Sequence, residues 1–221
     1  MGPNDIVEYR GMKMTVSQRE EYKEMEEEQI EKFKQNYYPA KYASKKNGVV
    51  VTYAANTHQG MVRNYNEDRV SIILNIIKPK FKQIDYWPRC SFFAIYDGHG
   101  GASCADFLRD QLHQLIVRDP EFPQNPMKAM KRGFEQAEKT FLEYAHGDSN
   151  MDTGNIQRSG SCAIVVLIVG EVAYVANVGD SRAFMSVDQG KKIVPLSVDH
   201  KPENPDEQKR IESNGGKVYQ N

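Results

Sequence analysis

The chain has 221 residues, 39% of them hydrophobic and 27% charged, with a formal net charge of −1. That length suits one domain with an extension, and the near-neutral balance excludes a duplex-binding protein, which needs a basic excess against phosphate. No apolar run reaches the ~18 residues of a membrane span, so neither nucleic acid nor membrane is an expected partner.

The N-terminus lacks an apolar signal core. It begins Met1-Gly2, but Ile6 stands where myristoylation needs Ser or Thr, so no lipid anchor is expected. Cys90, Cys104 and Cys162 are widely spaced, odd in number and contain no C-x-x-C pair. They read as reduced thiols of an intracellular protein, cytoplasmic or nuclear, without zinc.

Residues 1–48 form a charged extension. "TVSQREEYKEMEEEQIEKFKQNYYP" reads as an amphipathic helix, with Ser17 and Glu20 as a capping box and Pro39 as its stop. Tyr22, Met25, Ile30, Phe33 and Tyr37 draw a narrow apolar stripe. Such a helix either rests its stripe on the main domain or docks another protein.

Residues 49–221 read differently. "VVVTYAA", "RVSIILNII" and Ser91–Tyr96 are short strand-like runs. A helix follows with Ala105, Leu108, Leu112 and Leu115 on one face, then a second around "PMKAMKRGFEQAEKTFLEYAH". Next comes a predicted meander, "SCAIVVLIV" turning at Gly170-Glu171 into "VAYVAN", then "AFMSV" turning at Asp188–Gly190 into "KIVPLS". A last helix is announced by Asn204, Pro205, Asp206 and Glu207 and stopped by Gly215-Gly216. Strands grouped around a helical pair predict an α+β fold.

Three clusters carry possible chemistry. In D-G-H-G-G (97–101), Asp97 leaves a strand end, Gly98 lets a carbonyl approach a cation, and the glycines open a helix N-terminus that attracts anions. In "GMVRNYNEDR", Arg63 offers a phosphate-gripping guanidinium four residues before Glu67, which Asp68 follows directly. In "ANVGDSRA", Asp180 sits at a predicted hairpin turn. Oxygen ligands alone suit Mg²⁺ or Mn²⁺. Two such ions activate water for in-line attack at phosphorus, and His99 stands in the right loop to protonate a leaving group. "DSNMDTGN" from Asp148 fails as a calcium loop, because Thr153 and Ser159 occupy the places of its Gly and Glu.

Taken in order, R-N-Y-N-E-D (63–68), F-F-A-I-Y-D-G-H-G-G (92–101), S-G-S-C-A (159–163), V-A-N-V-G-D-S-R-A (175–183), D-H-K-P (199–202) and R-I-E-S-N-G-G-K-V (210–218) resemble the metal-dependent protein phosphatases of the PPM (type 2C) family. The resemblance implies a sandwich of two antiparallel β-sheets flanked by α-helices. It implies that Asp97 bridges two Mn²⁺ or Mg²⁺ ions touched also by the Gly98 carbonyl, with Glu67 and Asp68 helping to hold them. Asp180 matches a position linked in some members to a third ion. By the same resemblance, Arg63 binds the substrate phosphate, His99 is the general acid, Arg182 and D-H-K-P are structural, and the substrates are phosphoserine and phosphothreonine in proteins.

The sequence departs from the family pattern in two places. Cys162 replaces the Thr of S-G-S-T-A, and the D-G-x-W-D and late D-N motifs, each an aspartate ligand in the family, do not follow residue 218. The expectation is therefore a C-terminally truncated domain, carrying about the N-terminal two thirds of the family's catalytic unit. Two readings follow: a metal-dependent serine/threonine phosphatase, or a non-catalytic phosphatase-like module whose partner covers an open sheet edge or docks on the N-terminal helix. A third is a metal-free anion-binding domain using Arg63 and the loop before Ala102.

Overall fold

The computed structural model describes residues 2–9, 12–35, 41–43, 45–147 and 158–219. The calcium-like stretch from Asp148 lies mostly outside them, as does the region of Pro39.

The N-terminal region forms a hairpin, β1 (Ile6–Tyr9) and β2 (Met12–Thr15), running into α1 (Val16–Gln35). The helix exists, but its capping box lies two residues earlier than Ser17/Glu20. The Gln18 N–H donates to Thr15 Oγ1 (3.2 Å) and the Thr15 N–H to Gln18 Oε1 (3.0 Å), closing the reciprocal pair. Ser17 is already helical, with its N–H donating to the Pro3 carbonyl, and Glu20 is held by Arg19 and Lys23. The β-strand preceding the helix sets the start, a tertiary fact that local sequence signs do not carry. Tyr9 OH bonds Glu26, tying hairpin to helix, while Tyr22 and Met25 stay exposed. The side chains of Ile30, Phe33 and Tyr37 lie outside the described residues.

β3 (Lys41–Ala43) pairs antiparallel with β4 (Tyr53–Ala55) across the expected boundary at residue 48. The centre of the fold is a four-stranded antiparallel sheet in the order β5 (Arg69–Ile73), β6 (Cys90–His99), β7 (Gly160–Val169), β8 (Val172–Val178). β6 and β7 stay in register over their whole length, from Cys90 opposite Val169 to His99 opposite Gly160.

Because successive side chains point to opposite faces, each strand serves two layers. One face carries Phe92, Ala94, Tyr96, Ala163, Val165 and Leu167, all buried under α2 (Ser103–Arg118) and α3 (Pro126–Gly147). From α2, Ala105, Leu112 and Ile116 enter this core, and Leu108 and Leu115 pack at its rim. The other face carries Val70, Ile72, Phe93, Ile95, Ile164 and Val166, which with Ala54, Ala55 and Ala183 line a cleft of about 290 Å³.

The predicted meander is two separate hairpins. β9 (Phe184–Val187) and β10 (Lys192–Pro195) pair only with each other, through a 3-10 turn at Asp188–Gly190. Among the described residues, Asp180 therefore sits in a link between two sheets and not in a β8–β9 hairpin turn. α4 (Pro205–Ser213) begins after Asn204 and stops at Gly215 (φ +81°), as predicted, although the Asn204 side chain bonds the Asp199 carbonyl instead of capping. Antiparallel sheets with flanking helices match the expected architecture.

Candidate active site

At one end of the sheet the first two clusters meet. β6 does not stop at Tyr96 but continues as strand through Asp97, Gly98 and His99, because each still has a partner on β7. His99 is thus a strand residue where the sequence suggested a loop. Asp97 and His99 share the face of Ile95 and are exposed, while Gly98 is buried.

Gly98 needs to be glycine for a steric reason. A Cβ there would overlap the Glu67 carbonyl oxygen, so the segment carrying Glu67 and Asp68 lies directly on the strand. Gly160 does the same for His99: a Cβ would overlap the imidazole Nε2. Gly100 (φ +65°) and Gly101 (φ +122°) turn the chain towards α2 in backbone conformations that disfavour other residues.

Glu67 is nearly buried, its side chain 12% exposed. Its Oε1 accepts the Gly101 N–H at 2.6 Å and the Tyr65 hydroxyl at 3.1 Å. Arg63 Nη1 lies 3.7 Å from Glu67 Oε2 and is 76% exposed, a guanidinium at the mouth of the site. The Asp68 carboxyl is held above its ordinary value, first by burial, then by the negative charge of Asp97, with Glu67 adding to it. The Gly98 N–H and Arg69 act the other way. Arg63, Glu67, Asp68, Asp97, Gly98 and His99 thus occupy one end of the sheet, although two segments about thirty residues apart supply them.

Asp180 joins from the far side of β7. Its Oδ1 lies 3.6 Å from the Cys162 thiol, and its Oδ2 lies 3.5 Å from Lys201 Nζ. Cys162 is the register partner of Asp97 and abuts Gly179, where a Cβ would overlap Sγ. Burial raises the thiol first; the Asp180 backbone N–H lowers it, and the charges of Asp97 and Asp180 raise it further. The D-H-K-P turn is anchored by a two-pronged Arg182–Asp199 pair (2.8 and 2.6 Å) and by the His200 N–H on the Gly179 carbonyl. His113, half-buried in α2 beside Phe92, is far from this chemistry in role, and burial pushes its imidazole down.

The donor chemistry fits a hard divalent cation. Oxygen donors dominate, carboxylates repel one another, and Gly98 has no side chain to stand between its carbonyl and a cation. Among the described residues, however, no three His, Cys, Asp or Glu side chains converge closely enough to hold a metal ion by themselves.

Sequence reasoning did not single out two residues that shape this end: Gly160, whose role appears only in the strand register, and Arg69. Arg69 follows the acidic pair and reads as a routine strand-opening charge. Only its place on the helix-facing side of β5 reveals its partners.

A sheet with a helical pair on one face and acidic and basic groups gathered at one end is in keeping with the phosphatase family that the sequence motifs resemble. The chain belongs to the protein phosphatase 2C family, whose description, "Protein phosphatase 2C", matches residues 57–221. It is similar to "Probable protein phosphatase 2C 56" of Oryza sativa subsp. japonica, 38% identical over 152 residues, covering 69% of this chain and 39% of that protein. It is also similar to "Probable protein phosphatase 2C 76" of Arabidopsis thaliana, 40% identical over 126 residues, covering 57% of this chain and 28% of that protein. A crystal structure of a bacterial serine phosphatase shares the fold with a TM-score of 0.51 at 19% identity, covering 75% of this chain and 63% of that one. The chain spans between 24% and 39% of the length of these and similar curated relatives.

Proposed function

We propose that this chain carries part of the active centre of a metal-dependent protein serine/threonine phosphatase that acts on phosphoserine and phosphothreonine. The observation that carries the reading is the packing of Glu67 and Asp68 onto Gly98 beside Asp97, with Arg63 at the exposed mouth. Asp97, Glu67, Asp68 and the Gly98 carbonyl would hold Mg²⁺ or Mn²⁺, and Asp180 a further ion. A divalent pair so held supplies the Lewis acidity that activates water at neutral pH.

The chain's own residues do the rest. Arg63 binds and orients the phosphate through a planar, permanently charged fork. Glu67 keeps that fork near the site, and its own orientation is fixed by the Gly101 amide. His99, stacked over Gly160, is held in one direction and delivers a proton to the departing serine or threonine oxygen. The test is phosphate release from a phosphothreonine peptide. Turnover requires Mn²⁺ and disappears in Asp97→Asn. A monodisperse preparation of the chain that shows no turnover at millimolar Mn²⁺ refutes catalysis by this polypeptide.

A second reading, a non-catalytic module held in an assembly, is favoured by one observation: the large apolar side chains of Ile95, on the less covered sheet face, and of Phe184, Met185 and Ile193, in the β9–β10 hairpin, remain exposed. It requires a partner for solubility, so a stable monomer of the isolated chain counts against it.

A further inference from the structure

We infer that Arg69, braced by Asp106, is a positioning residue that sets the backbone of the Glu67–Asp68 pair. On the phosphatase reading above, that pair is where divalent ions are held.

Arg69 opens β5 and points towards the helical layer, where it is mostly buried. Four of its five N–H donors are used. Nε and Nη2 grip both carboxylate oxygens of Asp106 at 2.7 and 3.1 Å. Nη1 donates to the Asn66 carbonyl at 2.8 Å and to the Asp68 carbonyl at 2.9 Å. One guanidinium therefore fastens the peptide units on either side of the Glu67–Asp68 pair to the first turn of α2, where a carboxylate also meets the positive end of the helix.

The same helix is fastened a second time. Its leading loop offers the Gly101 N–H to Glu67 Oε1, and the Asp68 N–H is held by the Asn66 side chain. A closed circuit results: Glu67 to Gly101, along the chain to Asp106, to Arg69, and back to Asn66 and Asp68. Arg109 presses on Asp106 from outside (2.8 Å) and keeps it aimed. Lysine cannot replace Arg69, because a point charge cannot span a carboxylate on one edge and two carbonyls on the other.

A bolt of this kind acts on the site without touching substrate. Outer groups that orient metal-holding side chains typically change metal affinity by about 10- to 100-fold when altered. A residue that only stabilises the fold changes everything together.

The experiment compares the 221-residue chain with Arg69→Lys and Asp106→Asn, and uses Arg210→Lys on α4, paired only locally with Glu207, as a control. Two quantities are read: amide hydrogen exchange at Gly98 and Gly101 against Val165 in the central strand, and Mn²⁺ affinity from the paramagnetic resonance of free Mn²⁺. Positioning predicts that both variants speed exchange at Gly98 and Gly101 by about tenfold or more with Val165 unchanged, and weaken Mn²⁺ binding by about tenfold. The control moves neither. Less than threefold change in glycine exchange in both variants overturns the inference, as does a parallel rise at Val165 or loss of folding in both. Wild-type protein that binds no Mn²⁺ refutes the phosphatase reading, and the exchange result then decides the role of Arg69 alone.

Discussion

The two faces of the central sheet are made from the same kinds of residue and end differently. Phe92, Tyr96, Val165 and Leu167 are fully buried beneath α2 and α3, whereas Ile95, on the same strand as Phe92 and three residues on, is 48% exposed. Strand composition does not decide this. What decides it is the layer laid over each face: two long helices on one side and, among the described residues, β4 with Asn56 and the segment at Arg182–Ala183 on the other. Burial is thus a property of the pair of layers, and the polar chemistry gathers where one layer is thin.

The strongest way to break that contrast is at its two extremes. Phe92→Ala should cost about 3–5 kcal/mol, the usual penalty for emptying an aromatic site in a closed core. Ile95→Ala should cost about 1 kcal/mol, because half its surface never left water. Urea unfolding of both variants measures the difference. Equal losses would mean that the second face is covered in solution.

A smaller effect probes the rim of the closed face. Asp119, buried at the end of α2, takes a two-pronged pair from Arg132 of α3, and the buried Lys82 ammonium donates to its backbone carbonyl. The Arg132 hydrogen bonds hold its carboxyl below the ordinary value; burial opposes them, and the Glu121 N–H assists. A folded value below the unfolded one means that the stabilisation is complete above about pH 4 and is lost as pH falls through the folded value. Asp119→Asn should therefore cost about 2 kcal/mol at neutral pH, and the gap from wild type should narrow below about pH 4. A gap that widens on acidification would reverse the sign assigned here.

The smallest effect lies outside both faces. Thr15→Ala removes one half of the α1 capping box and should cost about 1 kcal/mol. Exchange at the amides of residues 18–22 should rise while the central sheet is unmoved. If Ser17→Ala has the larger effect, the helix starts where its local sequence suggests.

Much of the architecture was legible. Short apolar, β-branched runs marked β5, β6 and β7, and Pro205 with Gly215 framed α4, because these signals act within a few residues. Elements set from a distance were not. Thr15 caps α1 because a hairpin delivers it there, and β6 runs past Tyr96 because Gly160, Ser161 and Cys162 wait opposite. The splitting of the expected meander into two sheets at Asp180 depends on which strands find partners, and short links look alike either way. At the candidate site, Asp97, Glu67 and Arg63 were visible as charged residues in glycine-rich company. Arg69 and Gly160 were not, since each works through a neighbour more than thirty residues away in the chain.

The unbroken β6–β7 register has one more consequence. Asp97 and His99 fall on the thin side of the sheet solely by counting in twos from Phe93. Inserting a single residue between Phe93 and Tyr96 would invert that parity, turning the carboxylate and the imidazole into the oily layer below the helices and sending Tyr96 out to solvent. Phase along one strand, more than the identity of any one side chain, keeps the polar end of this molecule facing water.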